Sequence, residues 1–318
     1  MTIENKALHV IFGTGPVGLA IMDELYKQQE VAIRLVNRSG KVSEPLPEGV
    51  ELVNGDASDK SFAIQAAQRA SVIYFALNPP YHLWTELFPQ LQEGVIAAAE
   101  AHKAKLVVME NVYMYGDTNG QPLHESLPHK AHTRKGSLRA KMHATLMEAH
   151  NSGRICAVVG RASDFYGPRV TQSAGGETIF GKLAVGKSAQ FIGDPDQPHT
   201  YTYMPDVGKA LVMLGQNEDV FGEVWHIPNA PAMTTRKLVE LAATEFGTAS
   251  NIQAMPKWMV RIMGMFVKTL GEFPEMMYEF EQPFIVENNK FEQRFGVSAT
   301  PMLEGIRATV EWYKSEKM

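Results

Sequence analysis

Short apolar runs alternate with longer helical patterns along the first half of the chain. Six runs have the uninterrupted apolar character of strands buried on both faces of a parallel sheet. They cover residues 10–12, 31–36, 50–53, 71–75, 106–109 and 155–160. Between several of them, apolar residues recur at the three- and four-residue spacing of amphipathic helices. Strands and helices in this order predict an α/β fold with a doubly wound parallel sheet, which binds ligands at the carboxyl ends of its strands.

The first apolar run leads directly into Gly13-Thr14-Gly15-Pro16-Val17-Gly18 and then into a helical pattern. In such a strand–turn–helix unit, Gly13 makes the tight turn, Gly15 lets a pyrophosphate approach the backbone, and Gly18 lets the helix pack closely on the strand. The helix N-terminus presents free N–H groups and a partial positive charge to the phosphates. The motif therefore predicts a dinucleotide site, and the alternative is a tight turn without a ligand.

The alternation of strands and helices stops after residue 169. Residues 170–200 hold a glycine pair and a short helix, residues 201–228 contain one more helix and strand, and the rest is mostly helical. We therefore expect a Rossmann-type domain over residues 1–169, to which residues 201–228 return. A smaller, mostly helical substrate lobe is expected from residues 170–200 and 229–318.

Further candidates for cofactor binding follow the second, third and fourth apolar runs. Asn37 and Arg38 stand where an NAD-binding unit has an acidic residue for the ribose 2′-OH, and a guanidinium can bind a 2′-phosphate. This favours NADP over NAD, the alternative being that Arg38 is a solvated loop charge. Asp56 is a candidate for accepting from the adenine amino group or for capping the next helix. The remaining cofactor candidates are Ala57, Phe75, Ala76 and Leu77.

Composition limits the class of function. The chain has 318 residues, is 45% hydrophobic and carries a net charge of −5, which gives no reason to expect nucleic acid or an anionic membrane as a partner. Its polar N-terminus is unlike a signal peptide, and no uncharged apolar run reaches spanning length. We expect a cytoplasmic protein without a metal site. The one cysteine, Cys156, lies in an apolar run and is expected to be a buried core thiol.

Several short motifs occur in the order in which one family uses them. They are residues 12–18, Gly55-Asp56, Met114-Tyr115-Gly116, residues 165–169, residues 203–207, residues 291–295, Thr300-Pro301 and Trp312-Tyr313. With these motifs, the chain resembles the extended short-chain dehydrogenase/reductases, the NAD-dependent epimerase/dehydratase family, over nearly its whole length. The resemblance implies hydride transfer between a nicotinamide cofactor and a small carbonyl or hydroxyl substrate. It also implies a homodimer formed through helices 87–102 and 135–149.

Three positions depart from the family pattern. Phe12 replaces the first glycine, Asn111 stands where the family has its catalytic Ser or Thr, and Ser137 replaces the tyrosine of Tyr-x-x-x-Lys. A serine hydroxyl is too weak an acid to replace a phenol as the proton relay. For an active enzyme we therefore expect Tyr113 or Tyr115 to transfer the proton. Lys141 would assist and hold the ribose, while Asn111 would orient a carbonyl oxygen.

Three functions fit this pattern. The first is a reductase or epimerase/dehydratase-like enzyme with a relocated acid, or with Lys141 itself acting. The second is a non-catalytic NADP(H)-binding sensor, and the third is a fold kept for protein–protein contact, against which the intact glycines argue. No motif names the substrate. Residues expected to contact it are Asn78, Tyr81, Trp84, Arg134 and Tyr166.

Overall fold

The computed structural model describes residues 6–256, 258–260 and 274–316. The chain folds into two compact units, which exchange segments along the sequence. Unit 1 consists of Met1–Glu110, Leu138–Arg161 and Val207–Trp225, and unit 2 of Asn111–Ser137, Ala162–Asp206 and His226–Met318. The sequence-based boundaries differ from these units, because residues 111–137 and 162–169 join unit 2 rather than the nucleotide-binding part.

Seven strands among the described residues form the central sheet, which belongs to unit 1 apart from His226, the last residue of its final strand. They are β1 (Ala7–Phe12), β2 (Val31–Asn37), β3 (Glu51–Asn54), β4 (Ala70–Phe75), β5 (Lys105–Glu110), β6 (Cys156–Arg161) and β11 (Val224–His226). Their order is β11-β6-β5-β4-β1-β2-β3, and β1 to β6 pair in parallel. This order confirms the predicted doubly wound sheet, with the glycine turn following β1, which lies between β4 and β2.

The apolar runs form the core of the sheet, as their pattern predicts. Residues 10–12 of β1 are wholly buried, and so are the central residues of β4 and β6. Cys156 is a correction to the sequence analysis. As the first residue of β6 it is exposed rather than buried, because the apolar core begins only at Ala157.

The described helices follow the predicted pattern in unit 1 and extend through unit 2. They are α1 (Pro16–Gln28), α2 (Lys60–Ala66), α3 (Trp84–His102), α4 (Arg134–Asn151), α5 (Lys182–Ala184), α6 (Met204–Gln216), α7 (Thr235–Phe246), α8 (Tyr278–Glu281), α9 (Asn289–Phe295) and α10 (Met302–Glu316). Thr234 caps α7 by accepting from the Lys237 N–H, as its hydroxyl predicts. None of the described helices is long and apolar enough to cross a membrane.

Unit 2 combines its own helices with three two-stranded sheets. The strands are β7 (Asp164–Tyr166), β8 (Ala189–Ile192), β9 (Pro198–His199), β10 (Tyr201–Tyr203), β12 (Met233–Thr234) and β13 (Ile252–Met255). They pair as β7 with β10, β8 with β13, and β9 with β12. A cluster that includes Tyr166, Phe180 and Tyr313 forms the core of this unit. The unit therefore has a separate apolar core, as expected for a second lobe.

Candidate functional site

The glycine turn after β1 leaves open space at one of its three glycines. Gly13 has φ +114°, and a side chain there would meet the Ala76 carbonyl. At Gly18 an added Cβ would overlap the Gly13 carbonyl oxygen. An added Cβ at Gly15, by contrast, meets nothing within 4 Å, and this residue caps α1 without any side-chain hydrogen bond. The backbone N–H groups of the first turn of α1 thus lie beside open space, which fits a bound pyrophosphate.

Asn37 at the end of β2 holds the neighbouring loops rather than presenting a free amide. Its Nδ2 donates to Thr14 Oγ1 and to the Lys41 carbonyl, both at 2.7 Å. Its Oδ1 accepts from the Gly40 N–H at 2.8 Å. Arg38 is exposed. The side chain next to the glycine turn is therefore fixed by three bonds.

Asp56 lies close enough to Arg38 to feel its charge. The backbone N–H and hydroxyl of Ser58 donate to Asp56 Oδ1. These bonds lower the pKa of Asp56, and Arg38 lowers it further. The capping role considered for Asp56 belongs to Asp59, which accepts from the first N–H groups of α2. The Arg38 guanidinium therefore has a carboxylate within electrostatic reach.

The other cofactor candidates lie at the carboxyl end of the sheet in unit 1. Phe75 and Ala76 are buried at the end of β4, and the Ala76 N–H donates to the Phe12 carbonyl at 2.9 Å. Ala57 is buried as well, and Leu77 is half-buried. Their contacts with a cofactor remain predictions.

Tyr115 is buried with its hydroxyl bonded to a histidine of the same unit. The hydroxyl lies 2.8 Å from His226 Nε2, and His226 Nδ1 lies 2.7 Å from the Glu287 carbonyl oxygen. Since a carbonyl only accepts, Nδ1 of the neutral imidazole carries the hydrogen and Nε2 accepts from Tyr115. The proton of Tyr115 is thus directed at His226. Tyr113 is half-buried, and Asn111 Oδ1 accepts its N–H at 3.3 Å.

Helix α4 buries Lys135 and Arg139 rather than Ser137 and Lys141. Lys135 is 1% exposed and Arg139 is 2% exposed, while Ser137 is half-buried and Lys141 is exposed. The ribose and relay roles expected of Lys141 stay predictions. Lys135 and Arg139 have the same four-residue spacing, so spacing alone could not choose between the two pairs.

Lys135 and Arg139 each contact a partner in the same unit. Lys135 Nζ lies 3.0 Å from Glu275 Oε1 in unit 2. The Arg139 guanidinium lies 4.7 Å from the centre of the Phe88 ring in unit 1, a cation–π contact. Each charge is compensated where it is buried.

A buried ionic cluster at the carboxyl ends of β5 and β6 escaped the sequence analysis. Glu110 and Arg161 are register partners, and Glu110 Oε2 accepts from Arg161 Nε at 2.9 Å and lies 3.2 Å from His143 Nδ1. Burial would raise the pKa of Glu110, but Arg161 and His143 outweigh it and lower this pKa to about 2. The cluster therefore holds an ionised carboxylate in the core of unit 1.

The predicted substrate residues occupy different environments. Trp84 is buried and donates from Nε1 to the Pro79 carbonyl at 3.0 Å, with Tyr81 packed against its edge. Asn78 is exposed. Tyr166 is wholly buried against Phe180 in the core of unit 2. Its position is explained by packing, so we do not retain it as a substrate contact.

Arg134 lines a cavity of about 360 Å³ within unit 2. The lining residues are Asp117, His132, Thr133, Arg134, Pro274, Glu275 and Tyr278. The volume lies at the lower end of the range for small-molecule sites. Across the described ranges, no group of three or more His, Cys, Asp or Glu side chains is arranged to hold a metal ion.

Solved structures with a similar fold include several enzymes of nucleotide-sugar metabolism. One is the dTDP-glucose 4,6-dehydratase of Bacillus anthracis str. Ames, in complex with NAD. Its sequence is 16% identical to this chain, the TM-score is 0.79, and the match covers 98% of this chain and 97% of the dehydratase chain. The UDP-glucose 4-epimerase of Thermus thermophilus, also with NAD, has 19% sequence identity and a TM-score of 0.78, and the match covers 96% of this chain and 99% of the epimerase chain. The UDP-glucuronic acid 4-epimerase of Bacillus cereus, again with NAD, has 16% sequence identity and a TM-score of 0.76, and the match covers 98% of this chain and 100% of the epimerase chain. At these sequence identities, the structural similarity shows that this chain shares their fold.

These complexes correct the predicted preference for NADP over NAD, since all three contain NAD. A comparison with curated protein sequences gave no match. The family model for the NAD dependent epimerase/dehydratase family matches residues 10–227, more than half of the chain. The chain therefore belongs to the NAD-dependent epimerase/dehydratase family.

Proposed function

We propose that this protein is an NAD-dependent oxidoreductase of the epimerase/dehydratase type that acts on a small carbonyl or hydroxyl compound. The observation that carries the proposal is the open space at Gly15, in a turn whose other two glycines are closed by backbone contacts. A turn kept only for packing needs no open face at its middle glycine. The family match supports the reaction class.

Residues of unit 1 would hold the cofactor. The first turn of α1 would bind the pyrophosphate through N–H groups that carry no side-chain cap. Asn37 fixes the end of β2 against Thr14, and Asp56 would accept from the adenosine half. When bound, NAD supplies a nicotinamide that accepts or returns a hydride.

The substrate is proposed only as a chemical class. The neighbours named above act on nucleotide sugars, but no motif of this sequence names a substrate. Among the arginines of unit 2, Arg236 is already held by Asp196 through two bonds of 2.6 and 2.8 Å.

A titration with NADH, followed by its fluorescence, tests the proposal. The wild type should bind NADH, and Gly15→Val should weaken binding at least tenfold, about 1.4 kcal/mol, because its side chain fills the open space. The loss of stability in Gly15→Val should be small, about 1 kcal/mol for a poorer helix cap.

Gly18→Ala is the matched control, because its Cβ meets backbone rather than open space. It should lower the melting temperature more than Gly15→Val does. Absence of NADH binding by the wild type would contradict the proposal. NADH binding with no turnover of any carbonyl compound in a broad panel would favour a sensor over an enzyme.

A further inference from the structure

Asn37 uses its side-chain amide to hold other parts of unit 1. It is 9% exposed and is the last residue of β2, where a dinucleotide-binding unit has an acidic side chain that accepts from the adenosine ribose. Its two Nδ2 hydrogens are engaged, one with Thr14 Oγ1 and one with the Lys41 carbonyl, and its Oδ1 accepts the Gly40 N–H. A side-chain amide has only two hydrogens to donate, so neither is available to a bound ribose.

The loop that follows β2 is folded back on the Asn37 side chain. Gly40 has φ +66°, a left-handed conformation that glycine adopts without strain, and its N–H donates to Asn37 at 2.8 Å. Ser39 Oγ donates to the Lys41 carbonyl at 3.1 Å, and the Lys41 N–H donates to Ser39 Oγ at 3.2 Å. The Lys41 carbonyl thus accepts from both Asn37 and Ser39, which fixes residues 38–41 against the end of the strand.

The remaining bond of Asn37 joins this loop to the glycine turn. Thr14 lies between Gly13 and Gly15, the glycine beside open space, and Thr14 Oγ1 accepts from Asn37 at 2.7 Å. A hydroxyl that accepts a hydrogen bond can still donate its own hydrogen, so the Thr14 O–H remains able to donate to a phosphate or ribose oxygen. One side chain therefore sets the position of the loop and of the residue next to the open space.

These three bonds require an amide at position 37. Aspartate has nearly the same shape, but its carboxylate only accepts hydrogen bonds. In Asn37→Asp, one oxygen would still accept the Gly40 N–H, while the other would face the Lys41 carbonyl oxygen without a hydrogen between them. That carboxylate oxygen would also attract the Thr14 hydrogen and withdraw it from a ligand. The choice of asparagine is therefore explained by the loop and the turn together.

We propose that Asn37 is a positioning residue for the cofactor, which sets the affinity for NADH by holding Thr14 and residues 38–41 in place before the cofactor binds. This inference rests on the proposed function. A loop that is already ordered gives a tighter complex, because its ordering is not charged to the binding step. Asn37 thus acts through its neighbours, at a position where a dinucleotide-binding unit places a direct ribose contact.

Asn37→Asp separates positioning from direct contact with the ribose, because the two roles predict opposite results. A carboxylate that contacted the ribose directly would bind NADH at least as tightly as the amide does. Because Asn37 acts through Thr14 and Lys41, we expect Asn37→Asp to weaken NADH binding at least tenfold in a fluorescence titration. Asn54→Asp is the matched control, since Asn54 is exposed and is the register partner of Asn37 in β3, and it should stay within twofold of the wild type. Wild-type affinity in Asn37→Asp, or an equal loss in Asn54→Asp, overturns the inference.

Amide hydrogen exchange in the protein without cofactor measures the positioning itself. We expect the amides of Gly40 and Lys41 to exchange at least tenfold faster in Asn37→Asp than in the wild type, because the loop has lost its donor. Residues 10–12 of β1 should keep their wild-type rates. Unchanged exchange in the loop, or an equal increase in both segments, overturns the positioning role. A wild type that binds no NADH would refute the proposed function and this inference with it, whereas either of those exchange results in a wild type that binds NADH refutes the inference alone.

Discussion

Arg161→Met removes the strongest partner of the buried Glu110 carboxylate, and we expect it to destabilise the protein by about 3–5 kcal/mol. Both side chains are almost wholly buried, with 1% and 0% exposure, and Arg161 Nε lies 2.9 Å from Glu110 Oε2. Methionine resembles the stem of arginine but cannot donate to the carboxylate. The buried charge would then keep its desolvation penalty and lose most of its compensation.

The pKa of Glu110 supplies an independent magnitude. The cluster lowers this pKa from 4.5 to about 2 despite burial. At about 1.4 kcal/mol for each pH unit, the folded environment favours the ionised form by about 3 kcal/mol. That figure is the net effect of Arg161, His143 and Arg139 against burial, and it has the same order of magnitude as the loss expected when the buried pair is broken.

Urea unfolding at pH 7, followed by circular dichroism, measures the effect. The matched control is the double variant Glu110→Met/Arg161→Met, which removes both members of the pair together. We expect it to recover most of the stability lost in the single variant, since apolar pairs often replace buried ion pairs at little cost. A loss below about 1 kcal/mol in Arg161→Met would refute this reasoning, and so would a double variant less stable than the single one.

Three further predictions concern pH, cofactor and assembly. Burial raises the pKa of Glu279 well above its ordinary value, and the nearby Asp164 charge adds to this, so the wild type should lose stability as the pH rises above about 4.5. Glu279→Gln, which cannot ionise, should lose less between pH 5 and pH 8 in thermal melts, and an identical loss in both proteins would contradict this. NADH should bind at least as tightly as NADPH in fluorescence titrations, since the similar solved structures contain NAD, and a tenfold preference for NADPH would argue against it. The homodimer expected through α3 and α4 should appear in light scattering at micromolar concentration, where a monomer mass would exclude it.

Local patterns were sufficient to predict the sheet and the nucleotide turn. The apolar runs form β1 to β6 almost residue by residue, because strands buried on both faces need no partner information to be recognised. The turn at residues 13–18 could also be predicted from local sequence. Its glycines are required by the close backbone contacts between the neighbouring strand and helix.

The buried polar contacts could not be predicted in the same way, because they join residues far apart in sequence. Glu110 and Arg161 are 51 positions apart, and Tyr115 and His226 are 111 apart. Only the parallel register of β5 and β6 brings the first pair together. Cys156 was misjudged for a simpler reason, since the burial of β6 begins one residue later.

The register of α4 decides which of its charged residues are buried. Successive residues of an α-helix are rotated by about 100°, so a shift of two positions turns the side chains by about 200°. The pair Ser137 and Lys141 therefore points away from the direction taken by Lys135 and Arg139. Lys135 and Arg139 are buried and Lys141 is exposed, which is the pattern of a helix with one buried face. Because both pairs have the same four-residue spacing, the sequence alone could not show which pair faces the core.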